Sequence, residues 1–335
     1  MKIDTRLVYG SLREVPGLAQ AAERAGFDGL WLEETAHEPF LGAALACEHT
    51  QTVSVGTGVA IAPARSPTVL AHLAWDLAAL SAGRFILGLG TQVKGHVVRR
   101  FGMTWDPPAP KLRDTVRAIR AVWTSWRSGE PLRYRGRFYS LTLMTPFFTP
   151  PRHEYAIPVA TAGVNAIMCR TAGEVGDAFQ VHPLHTPAYL RDVVIPAIRR
   201  GERRAGRDRA VTVNASVFAL LGESEREVRE ARAEARRTIA FYASTPSYRP
   251  LLAHHGWEEA GARLSALAAR GEWAKMAEAV SDEMLETITV GGSPREVGDQ
   301  LAARYEGLAD RVGVYTAFRP DWAARWASLL AGARG

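Results

Sequence analysis

Cysteine is nearly absent: only Cys47 and Cys169 occur among 335 residues, with neither CxxC spacing nor a His cluster beside them. That argues against a disulfide framework and a thiolate zinc site, and it fits a reducing compartment, so a cytoplasmic location is expected. No HExxH or comparable His/Asp spacing points to a catalytic zinc, and no GxSxG elbow presents a serine nucleophile. No apolar run reaches the roughly 20 residues needed to span a bilayer. The N-terminus enters a strand-like segment, Ile3 to Val8, without the basic stretch and apolar core of an export signal. Lysine is confined to Lys2, Lys94, Lys111 and Lys275, so the net charge of +6 is carried by arginine. Those arginines are spread through amphipathic helices and not interleaved with aromatics along one strip, which speaks against nucleic acid as a partner. The surplus reads either as a solvated surface or as a field that draws in an anionic cofactor.

What is present is a chain of 47% hydrophobic and 23% charged residues, enough to bury a sizeable core. Its dominant pattern is an apolar run, a turn, a helix-period segment ending in glycine, and another apolar run, which is the signature of repeated βα units. Eight strands are expected, at Ile3–Val8, Leu30–Glu33, Val53–Val59, Phe85–Leu89, Val159–Thr161, Ala178–His182, Val211–Leu221 and Arg311–Thr316. Eight such units predict a (β/α)8 TIM barrel with insertions in the βα loops, although an open doubly wound sheet uses the same local signals. Capping boxes are expected at Ser224/Glu227 and Ser293/Glu296. Three stretches break the rhythm: Gln92–Lys111 without an immediate helix, a hairpin in Arg133–Met144, and an irregular excursion over Thr245–Met276. With no Pro/Gly/Ser-rich linker, residues 1–335 read as one domain.

In a barrel the C-terminal strand ends carry the chemistry. The second leads into Glu33, Glu34, His37, Glu38 and Phe40, where carboxylates beside an imidazole suit proton transfer; an acidic helix N-terminus is the alternative. The fourth ends Gly88-Leu89-Gly90-Thr91-Gln92, followed by His96 and Arg99, and its glycines let backbone amides approach an anionic or planar ligand. Their spacing does not match GxGxxG. The fifth ends Ala162-Gly163, with Val164 expected to open a helix whose N-terminus receives an anion; a tight βα turn explains the same glycine. An acidic residue at Gly163 is expected to repel that anion without harming the fold. The sixth delivers His182, with His185 just beyond, either as pocket lining or as satisfied core.

Several segments together resemble the luciferase-like monooxygenases: Ala25-Gly26-Phe27-Asp28-Gly29-Leu30-Trp31, Val55-Gly56-Thr57-Gly58-Val59 with Ser66-Pro67, Arg84 to Gly90, and Pro158 to Gly163. The match extends along nearly the whole chain. Glu34 to His37, Gly90 to Met103 and Phe241 to Arg249 are more similar to the branch that uses the deazaflavin coenzyme F420. The resemblance implies a non-prolyl cis peptide at Gly58-Val59 beneath the cofactor ring, with Thr91, Gln92 and Arg99 along the ring and ribityl chain and His96 and His182 among the cofactor-binding residues. It also implies a phosphate at Ala162, Gly163 and Val164, and His37 and Phe40 beside the reactive face. Related sugar-phosphate dehydrogenases place a carboxylate where this chain has Val93, so that substrate class is not implied. The activity so implied is hydride transfer between F420 and a small organic molecule. FMN-dependent oxygenation supplied by a partner reductase is the alternative, and a non-catalytic ligand-binding barrel is the alternative of another class. Dimers are usual for such relatives, so a homodimer is expected by analogy alone.

Overall fold

The computed structural model describes residues 1–335. Its eight principal strands are β1 (Lys2–Arg6), β2 (Gly29–Leu32), β3 (Ser54–Thr57), β4 (Phe85–Gly90), β5 (Val159–Gly163), β6 (Ala178–Val181), β7 (Thr212–Leu221) and β8 (Arg311–Ala317). Each pairs in parallel with the next, and β8 pairs with β1, so the sheet closes as a TIM barrel without an exposed edge. All eight lie where apolar runs between turn signals place them. Around them run α1 (Val15–Ala25), α2 (Pro39–His49), α3 (Pro67–Leu80), α4 (Pro108–Ser128), α5 (Ala166–Val175), α6 (Ile195–Arg204), α7 (Glu225–Ala243), α8 (Pro294–Tyr305) and α9 (Ala323–Arg334). Prolines at the first turns of α2, α3 and α8 follow side-chain caps from Glu38, Ser66 and Ser293, so their missing N–H groups cost nothing. Ser293 and Glu296 form the full capping box. Ser224 caps α7, but Glu227 turns its carboxylate to the Glu223 amide, so that box is only half made.

The N-terminal part of the barrel is filled by a polar plug. Asp4 of β1 accepts from Arg311 of β8 at 2.7 and 2.6 Å and from the Trp31 indole at 2.9 Å. Gly29 makes room for it, since a β-carbon there would lie 2.6 Å from Asp4 Oδ1. Asp4 and Arg311 are almost fully buried, at 1% and 7% exposure, so each charge depends on the other for solvation.

The insertions differ from expectation in two places. A short helix, Lys94–Arg99, does follow β4, and Thr245–Met276 is mostly helical, with turns of helix at Arg249–His254, Glu258–Ala269 and Trp273–Met276. Pro246 and Pro250, which mark breaks in the sequence, sit in the first turns of helical segments, where proline is tolerated. A strand at Thr289–Gly292 pairs with the upper half of β7, and the expected hairpin forms from Tyr134–Arg135 and Ser140–Leu141. No helix is long and apolar enough to cross a membrane.

Candidate active site at the barrel mouth

Beyond β3 the chain makes a cis peptide between Gly58 and Val59, at the position singled out in the sequence. Beside it the interior wall is rich in glycine. A β-carbon at Gly88 would run into the Thr57 carbonyl, one at Gly90 into the Val59 side chain, and one at Gly58 would lie 3.1 Å from Trp31 Cβ. The neighbouring strand adds only Ala162. These glycines keep the floor of the mouth close to backbone level, with the Trp31, Val59 and Gln180 side chains packed against it.

At the end of β5, α5 begins at Ala166 and not at Val164, because Asn165 is the N-cap, accepting from Ile167 and Met168 at 3.1 and 3.0 Å. Val164 lies in the preceding turn. The amide N–H groups of Val164 and Asn165 donate to nothing within the protein, leaving two oriented donors at a helix N-terminus. Gly163 has a packing role as well, since a β-carbon there would strike the Met168 side chain. Gly163→Asp would therefore disturb the β5–α5 join, contrary to the expectation that it leaves the fold intact. Val164→Asp is the cleaner probe. It is expected to weaken an anionic cofactor by about tenfold or more at low salt while the circular dichroism is unchanged. Unaltered cofactor affinity in a folded variant would remove this turn from phosphate binding.

The loop after β2 is stapled in place. Glu34 accepts from Arg65 Nη1 and Nη2 at 2.7 and 3.1 Å and from the Ile61 amide at 2.7 Å. Glu38 accepts from the Leu41 amide and from Arg65. Glu34, singled out as catalytic, thus holds the loop after β2 against that after β3. Phe40 is likewise engaged within the protein. At 3% exposure it packs within the core, its ring 6.5 Å from that of Phe85, and supports the mouth from behind. His37 remains at the lip, half-buried, stacked on Tyr9 at 4.9 Å between ring centroids. None of its carboxylate neighbours hydrogen-bonds it; Glu33 turns instead to Arg6.

Thr91 lines a narrow cleft with Val97, Trp105 and Lys111. Gln92 takes a positive φ of 54° and its side chain accepts from the Val93 amide at 2.9 Å, which turns the chain into the Lys94–Arg99 helix. His96 and Arg99 are exposed on that helix without an ion-pair partner in the chain, so they form the outer rim. Arg100 reaches across to donate to the Thr35 carbonyl at 2.7 Å, linking the loops after β4 and β2.

His182 follows β6 directly, across the mouth from His37, its ring against Tyr242 and Tyr248 at 4.5 and 5.0 Å. The Leu184 amide donates to its Nδ1, so the neutral ring carries its proton on Nε2. His185 belongs to the core: its Nδ1–H donates to the His182 carbonyl, and its Nε2 accepts from the Tyr305 hydroxyl at 3.0 Å. Burial holds both imidazoles neutral, pushing His182 down to about 3 and His185 to about 4. An unfolded histidine titrates near 6.5, so between about pH 6.5 and 4 the unfolded chain binds protons that the folded one refuses. Stability therefore falls as acid is added through that window, by up to about 1.4 kcal/mol per pH unit from His185. His185→Gln is expected to flatten the fall of the urea midpoint across it; an unchanged slope would assign the acid sensitivity elsewhere.

Arg6, Tyr242 and Tyr315 also converge here and were missed in the sequence. Arg6 and Tyr315 are inward positions of β1 and β8, two residues above Asp4 and Gly313, so strand alternation was the signal available. Tyr242 lies within the apolar face of α7 and carries no local signature.

A model of the luciferase-like monooxygenase family matches residues 1–311. An uncharacterized protein of Mycobacterium tuberculosis is 43% identical over 307 residues, covering 91% of this chain and 90% of that protein. An F420-dependent glucose-6-phosphate dehydrogenase of Gordonia bronchialis is 28% identical over 214 residues, covering 58% and 60%. The coenzyme F420-dependent tetrahydromethanopterin reductase of Methanopyrus kandleri superposes with a TM-score of 0.77 at 20% identity, covering 98% of this chain and 96% of that one. With the family model matching nearly its full length, the chain belongs to the luciferase-like monooxygenase family.

Proposed function

We propose that the chain transfers a hydride between deazaflavin coenzyme F420 and a small organic substrate. The observation that carries the reading is the glycine-rich floor of Gly58, Gly88, Gly90 and Ala162 beside the two unpaired amides of Val164 and Asn165. It fits a planar ring with a phosphate on its tail. F420 supplies two-electron hydride chemistry when bound. The residues do the rest: the floor orients the ring, the β5–α5 turn fixes the tail, and the Glu34–Arg65 staple holds the loop that presents His37. His37 is placed to move a proton at the lip, and the His182 Nε2–H donates into the mouth from the far side.

FMN fits the same geometry. The choice of F420 rests on Glu34 to His37 and Gly90 to Met103, and on F420-dependent relatives. The experiment is an anaerobic assay with reduced F420 and a set of small carbonyl compounds. Consumption of the reduced deazaflavin without any need for O₂ is expected. Turnover only with reduced FMN and O₂, supplied by a reductase, would assign oxygenation instead. Binding without turnover of either kind would leave a ligand-binding barrel.

A further inference from the structure

Five polar side chains from five separate elements form one continuous network on the far side of the mouth from the glycine floor. Arg6 Nη1 of β1 donates to Glu33 Oε1, just past β2, at 2.8 Å. The Arg6 guanidinium also lies over the Tyr315 ring, 4.1 Å from its centroid. Tyr315 of β8 and Tyr242 of α7 share a hydrogen bond at 3.0 Å, and Tyr242 abuts His182.

The network has more donors than acceptors. Of the two phenol protons, one is spent within the tyrosine pair and the other has no acceptor in the chain. The His182 Nε2–H is also unspent, and Arg6 Nε is buried with no partner. Burial, with Glu33 nearby, pushes the Tyr315 phenol well above the ordinary range, so it keeps its proton at neutral pH. Buried donors left without acceptors are costly, and such groups are normally satisfied. All five residues are mostly buried but none completely, so an acceptor can reach them from solvent.

We propose that Tyr242, Tyr315 and His182 receive an oxygen of the substrate that carries or develops negative charge, so the substrate class is carbonyl compounds and the alcohols they form. The inference rests on the hydride-transfer reading for its chemistry. In the reducing direction the carbonyl carbon gains a hydride from the reduced deazaflavin and its C=O π bond breaks. The oxygen, held by these donors as its charge develops, then takes a proton delivered by His37, which is restored from solvent. The cofactor leaves oxidised by two electrons, and the product is an alcohol. Arg6 and Glu33 act as positioning residues, fixing the Tyr315 ring.

The test uses 4-nitrophenol as the probe, titrated into apoprotein and into F420-loaded protein, with the visible band of its phenolate as the readout. Wild type is expected to bind the phenolate and to lower the apparent pKa of the bound probe. Tyr315→Phe and Tyr242→Phe each remove one hydroxyl, and each is expected to weaken phenolate binding by about tenfold or more, with unchanged circular dichroism and F420 affinity. Absence of phenolate binding in wild type, or equal binding in both folded variants, would overturn the proposal. The apoprotein arm separates the two readings: a protein that binds the phenolate through the tyrosines but not F420 loses the cofactor assignment alone. One that binds F420 but shows no tyrosine-dependent phenolate binding loses the oxygen site alone.

Discussion

Asp4→Leu is expected to destabilise the protein by about 3 to 5 kcal/mol, the cost of stripping one partner from a buried ion pair. The carboxylate holds both Arg311 contacts and the Trp31 indole, so its loss leaves a guanidinium and an N–H without acceptors inside the barrel. Most of the penalty belongs to the charge left behind. The double variant Asp4→Leu/Arg311→Met is therefore expected to recover most of it, because apolar replacements of a buried pair are often close to neutral. Urea unfolding of the three proteins measures both effects. A single variant within about 1 kcal/mol of wild type would show that Arg311 finds other solvation.

His37→Ala is expected to lower turnover by about 10² to 10⁴, the usual range for general acid–base assistance, with little change in cofactor affinity. His37 is held by stacking on Tyr9 and by a loop anchored through Glu34 and Arg65, so its removal leaves the lip standing. A folded variant with a rate within about twofold of wild type, far below that range, would end the role. Assays across pH sharpen the test, since only a proton-transfer role moves the pH–rate profile.

The barrel was legible in the chain because its strands are buried on both faces and read as apolar runs between glycine stops. Gly58 and Val59 were legible through resemblance, as was the turn after β5. Side-chain direction was harder to read. Glu34 and Phe40 share a segment with His37, yet the partner that draws Glu34 away, Arg65, lies after the next strand, and Phe40 points inward because α2 begins at Pro39. The β5–α5 boundary moved by two residues because Asn165 caps more effectively than the apolar Val164 can. Tyr242 illustrates the limit: its value lies wholly in meeting Tyr315, 73 residues away.

Cofactor choice is the central claim, and equilibrium titration of the purified apoprotein with F420 and with FMN under identical conditions tests it most directly. Stoichiometric binding of F420, lost in Val164→Asp, with FMN bound more weakly, is the expected result. Tight stoichiometric binding of FMN with no measurable binding of F420 would contradict it and move the function to flavin-dependent oxygenation.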